Sequence, residues 1–238
     1  VEDRGDGGGT YLWPRQQRAD GRWFGFSQQI LAVKRGQYLD KGQFRAQYYN
    51  NPNNPDKENI ASDNFQYYDR RKLEQRGQEW TYRGAPLSIF AAIDFAFSLR
   101  STADYTALVV IGVDGEGNYY ILDIDRFRSN QIKDYYKSVF DAYSKWGFRK
   151  IRAEVNVAQE PIVEELKNTI RYEGLGLSVE KHRPMRSDGA KNERMDAVLK
   201  PRYENQSIWH YKGGLNQELE EELKLERPAH DDIKDALA

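Results

Sequence analysis

The sequence has no cysteine in its 238 residues. That excludes a disulfide framework and any thiolate-bound metal site, and it suits an intracellular protein. Long apolar runs are missing too: none approaches the roughly 20 residues that a bilayer-spanning helix needs. The opening VEDRGDGGGT lacks the basic and apolar regions of a signal peptide, and a first residue of Val suggests an excised or processed chain. Histidine is scarce. His182, His210 and His230 stand far apart and show no zinc spacing. There is no G-x-S-x-G nucleophile elbow and no G-x-x-x-x-G-K-[ST] phosphate loop; GQYLDKGQ does not satisfy the latter. The formal net charge of −1 excludes a generic basic nucleic-acid coat, while leaving room for local patches.

Charged residues make up 31% of the chain, yet it holds five Trp, sixteen Tyr and ten Phe. Disordered chains are poor in aromatics, so this is a globular protein with a very polar surface. Its length allows one large domain, or one domain with a substantial arm. Residues 1–86 read as the arm. They are rich in Gln, Asn, Gly, Pro and Tyr, with turn chemistry at Asn51-Pro52 and Asn54-Pro55 and short helical patterns near 26–39 and 44–49.

Residues 87–238 read as the domain. LSIFAAIDF, TALVVIGV and YYILDIDRF are three apolar strands, the last two joined by the DGEGN turn. A helix follows from Ile132, with Gly147 at its C-terminal cap. RKIRAEV is a fourth strand, QEPIVEELKNTI a helix with Pro161 in its first turn, and LSVEK a fifth strand. The segment KNERMDAVLKPRYEN holds a helix expected to end near Pro201, before the short strand SIWHY. LNQELEEELKLE is an amphipathic helix, and a last helix begins near Asp231. The fold class is α/β: a mixed sheet flanked by helices, in which a helical crossover lets the fourth strand lie parallel to the first.

Asp94 ends the first strand and Glu154 ends the fourth. If those strands are adjacent, both carboxylates emerge at one edge of the sheet, where open α/β sheets bind ligands. The closing HDDIKDALA crowds Asp231, Asp232 and Asp235 together, and packing Ile233 and Leu237 would aim all three at Asp94 and Glu154. Such acids repel one another unless cations share them. Hard ions such as Mg²⁺ or Mn²⁺ take oxygen ligands, and two of them about 4 Å apart cleave phosphodiesters. The competing reading is plain surface and capping: Asp231 and Asp232 also suit a helix N-terminus.

At these residues the chain resembles the C-terminal nuclease domain of the large terminase subunit of tailed bacteriophages, which is RNase H-like. The likeness runs through AAIDFAFSLRSTADYTALVVIGVDGEGNYYILDIDRFR, IRAEVNVAQEPIVEEL, KNERMDAVLKPRYENQSIWHY and HDDIKDALA, and YYNNPNNPDKENIASDNFQYY resembles the linker from the packaging ATPase. The resemblance implies a two-metal endonuclease that cuts concatemeric double-stranded viral DNA during packaging in the cytoplasm of a bacterial host. Asp94, Glu154 and Asp232 would be its catalytic triad, with Asp231 and Asp235 as further metal neighbours. The implied partners are the terminase ATPase domain, the small subunit and the portal protein, with no membrane. Without a phosphate loop, the motor is expected to be absent from this chain.

The stretch KHRPMRSDGAKNERMDAVLKPR offers Lys181, Arg183, Arg186, Lys191 and Arg194 for DNA phosphates, or is a solvated loop and helix face. A transposase or junction resolvase on the same fold is the alternative enzyme. A docking module for a packaging motor, with its acids on the surface, is the alternative without catalysis.

Overall fold

A computed structural model describes residues 2–3, 9–10, 14–37, 47–48, 58–96, 105–155, 159–183, 191–226 and 228–238. The chain divides into two compact units, Val1–Asn59 with Leu225–Pro228, and Ile60–Lys224 with Ala229–Ala238.

In the first unit, β1 (Glu2–Asp3) pairs with β2 (Gly9–Thr10) and β3 (Gln16–Gln17) with β4 (Trp23–Phe24), both antiparallel. Helix α1 (Gln28–Gln37) follows, within the helical stretch expected at 26–39. Arg15 and Arg18 lie over the rings of Trp23 and Phe24 in cation–π contacts. The Asn-Pro turns and most of the second expected helical stretch lie outside the described residues.

The second unit is built on one sheet. Its strands are β5 (Gln66–Tyr67), β6 (Leu73–Arg76), β7 (Glu79–Tyr82), β8 (Ala85–Asp94), β9 (Thr106–Val113), β10 (Tyr119–Phe127), β11 (Lys150–Glu154), β12 (Ser178–His182) and β13 (Ile208–His210). They lie in the order β12-β11-β8-β9-β10-β13-β5, with the β6–β7 hairpin joined to β8. Strands β8, β9 and β10 form an antiparallel meander. Helix α2 (Ile132–Trp146) carries the chain across, so that β11 returns parallel to β8. Helix α3 (Glu160–Tyr172) then makes β12 parallel to β11. The crossovers follow from apolar stripes at helical spacing, and α2 stops at Gly147, whose left-handed φ of 67° suits a residue without a Cβ.

Each face of the sheet has its own core. Tyr135, Val139 and Trp146 of α2 and Val163, Leu166 and Ile170 of α3 pack with Ile93, Leu108, Ile151, Ala153 and Val155. On the other face Leu199 and Tyr203 of α4 (Lys191–Glu204), Leu219 and Leu223 of α5 (Asn216–Lys224) and Ile233 of α6 (Asp232–Leu237) pack with Val109, Ile121 and Ile124.

Two sequence expectations meet a different arrangement. Residues 60–86 were expected in the arm, but Phe65, Tyr68 and Tyr82 are buried in these cores, and the Tyr68 hydroxyl donates to the Ile121 carbonyl at 2.7 Å. The helix expected to end near Pro201 runs on to Glu204 with the proline inside it. Proline removes one amide donor and disfavours a helix interior. Burial of Tyr203 two residues further on, with its hydroxyl 2.8 Å from His210 Nε2, holds the last turn in place.

Candidate active site

Asp94 and Glu154 are the last residues of β8 and β11, and they are partners in the parallel register. A β-strand alternates its side chains, so Ile151 and Ala153 enter the core while Lys150, Arg152 and Glu154 face the other way. On that side Phe90, Ala92 and Asp94 of β8, the β11 residues, and Glu180 and His182 of β12 border a cleft of about 650 Å³. Arg194, Val198 and Arg202 of α4 and the end of α6 form its other wall.

Asp235 of α6 lies in this cleft with Asp94 and Glu154. Burial, then the charge of Asp235, push Asp94 up to about 7; Lys191 pulls the other way, and Glu154 and Asp232 add to the rise. Glu154 is raised for the same two leading reasons, against Arg194, Lys191 and Arg152. The Arg194 guanidinium is 3.9 Å from Glu154 Oε1. Lys191 Nζ lies 2.8 Å from Asp235 and 3.1 Å from Asp231. Burial alone would lower the Lys191 pKa, but the bonds and charges of these two acids hold it above its usual value.

Asp232 points elsewhere. The sequence reading put Asp231, Asp232 and Asp235 on one outward side of the last helix; Asp232 is 3% exposed, and its Oδ2 is 3.2 Å from the Arg126 guanidinium. The same guanidinium is 3.8 Å from Glu222 of α5, and Glu222 accepts the backbone N–H of Lys234 at 2.8 Å. The physical reason is a mostly buried cation beneath the helix: Asp232 turns inward to it, and Asp235, three residues on, is left facing the cleft. Lys234 completes the anchor by donating to Asp196 of α4 at 2.8 Å. Burial pushes Glu222 up to about 7, against the Lys234 amide and Arg126, while Asp232 and Asp231 add to the rise. Asp231 occupies the N-cap position but makes no side-chain cap bond. His230 Nδ1 is 4.0 Å from Asp232, and its ring meets Tyr105 edge-on.

The basic candidates divide. Lys191 and Arg194 reach the acids, whereas Lys181 pairs with Glu164 and Arg183 with Glu160, both acids of α3. Arg186 lies outside the described residues. Sequence reasoning missed Arg126 and Glu222. Both carried a signal: Arg126 shares the strand side of buried Ile124, and Glu222 adjoins Leu223 on the apolar stripe of α5.

Among the described residues, no three acidic or imidazole side chains stand ready-gathered around one ion. The donors nevertheless suit a hard cation. Asp94, Glu154 and Asp235 are all carboxylates, they share one cleft, and the raised pKa values of Asp94 and Glu154 mark negative charge that a cation would offset.

No protein-family model matches the sequence, and no curated protein matches it. Solved structures do. The large terminase nuclease of the thermophilic phage G20c superposes with a TM-score of 0.51 at 15% identity, over 76% of this chain and 95% of that one. The fold is RNase H-like. T. thermophilus RuvC in complex with a Holliday junction substrate also aligns, at a TM-score of 0.40 and 13% identity, over 63% of this chain and 88% of that one. The expected α/β class and the resemblance to the terminase nuclease both agree with this result. No helix among the described residues is long and apolar enough to cross a membrane.

Proposed function

We propose that this chain is a divalent-metal-dependent DNA endonuclease in which Asp94, Glu154 and Asp235 hold the metal. The observation that carries the reading is their convergence. Three carboxylates from three distant parts of the sequence border one cleft, and the charge of Asp235 is the leading electrostatic influence on both others. Bound Mg²⁺ or Mn²⁺ would supply charge neutralisation at phosphorus and a water acidified for attack.

The chain's own residues prepare that chemistry. The parallel register of β8 and β11 fixes Asp94 beside Glu154. The Arg126–Asp232 pair fixes the rotation of α6 and with it the position of Asp235. Asp232 therefore acts as a support in this reading, and Asp231 works through Lys191. Arg194 braces Glu154 and offers positive charge to a phosphate, and Lys181, Arg183 and Arg186 are the outer candidates for the duplex backbone.

The fold likeness to a phage terminase nuclease favours the cutting of concatemeric double-stranded DNA during genome packaging. In that role the chain works with the packaging ATPase, the small subunit and the portal protein in the cytoplasm of a bacterial host.

Plasmid nicking by the purified chain tests the proposal, with EDTA, Mg²⁺ and Mn²⁺ in parallel and Asp94→Asn beside them. Nicking with either metal, abolished by EDTA and reduced at least 100-fold in the variant, is the expected result. Full nicking in EDTA would overturn the reading. Branched DNA cut far faster than linear duplex would move it to a junction resolvase.

A further inference from the structure

The cleft extends well beyond its acids, and its chemistry changes in ordered rows. Asp94, Glu154 and His182 form the first row across β8, β11 and β12; Ala92, Arg152 and Glu180 form the second. Phe90 and Lys150 follow one step further along the same sides of β8 and β11. Alternate residues on one side of a strand stand roughly 6.6 Å apart, so Lys150 lies about 13 Å from the acid row. The row spacing is comparable with the separation of successive phosphates along an extended nucleic-acid strand.

Two further features point to a ligand. Lys150 and Arg152 are exposed, and neither side chain makes an ion pair or hydrogen bond with another described residue, although the acid Glu180 stands beside Arg152. Phe90 is 44% exposed in the middle of a sheet, with Val109, Ile111, Val198 and Leu199 around the cleft. An open aromatic ring beside exposed cations is what a stacked base and its phosphate require. At about 650 Å³ the cleft has room for a short single strand.

Resting on the nuclease reading above, we propose that this cleft binds an unpaired stretch of two to three nucleotides next to the phosphate that is cut. The phosphates run along Arg152 and Lys150, and a base stacks on Phe90. Sites whose strands are already parted (a gap, a frayed end or an overhang) are then favoured over intact duplex, which the same acids still nick.

Fluorescence anisotropy in EDTA tests this without catalysis. Labelled blunt duplex is compared with the same duplex carrying a three-nucleotide overhang, using the full chain. The expected result is binding at least 5-fold tighter to the overhang, with the preference lost in Phe90→Ala and in Lys150→Ala/Arg152→Ala. Thermal melting confirms that each variant is folded. Equal affinity for both DNAs, or a preference that survives both variants, overturns the inference. Plasmid nicking run alongside separates the two claims: loss of metal-dependent nicking counts against the nuclease reading, and loss of the overhang preference counts against the single-strand cleft.

Discussion

The two sides of β11 differ sharply in burial and chemistry. Ile151, Ala153 and, just beyond the strand, Val155 are essentially sealed beneath α2 and α3. Lys150, Arg152 and Glu154, one residue out of phase, face a cleft that α4 and α6 only partly close. One five-residue strand thus supplies rigidity on one side and chemistry on the other. Period-two alternation allows a charged site to be built on a core without breaking it.

The largest effect is expected where that division is breached. Arg126 is a mostly buried cation serving two buried acids, and Arg126→Ala leaves Asp232 and Glu222 without it. Removing one partner of such a set costs about 3–5 kcal/mol. Chemical denaturation measures the loss, and nicking should fall with it because α6 loses its anchor; stability within 1 kcal/mol of the parent would contradict the anchoring role. The two sides of β11 can then be set against each other. Ile151→Ala should cost about 2–5 kcal/mol through the cavity it leaves, and Arg152→Ala within about 0.5 kcal/mol. Similar losses in the two variants would mean that the cleft side is as structural as the core side.

A smaller effect concerns pH in the metal-free chain. The folded pKa of Asp94, about 7, lies above its unfolded value near 4. The folded state therefore holds more protons between those values, and stability falls as pH rises through that window. Asp94→Asn removes the charge, so it should stabilise the chain by about 1–3 kcal/mol at pH 8 and by little at pH 4. Thermal melting in EDTA at both pH values checks the difference; an equal shift at both would place the cause outside Asp94 ionisation.

Much of this was legible in the sequence because its signals were local. The strands TALVVIGV and YYILDIDRF lie where their apolar runs placed them, and Gly147 caps α2 as its position indicated. Asp94 and Glu154 could be placed at one sheet edge because each stands at the end of its strand. What could not be read was orientation set by distant partners. Nothing within HDDIKDALA says that Asp232 turns inward, because the cause is Arg126, 106 residues earlier. Tyr68 and Tyr82 likewise looked like part of an arm because the cores that bury them come later in the chain.

The most direct test of the account is Mn²⁺ binding, followed by the loss of the free-ion electron paramagnetic resonance signal during titration. The parent chain should take up Mn²⁺, with affinity falling at least 10-fold in Asp235→Asn and much less in Asp231→Asn. Equal affinity in the parent and Asp235→Asn would contradict the claim that Asp94, Glu154 and Asp235 form one metal-holding site.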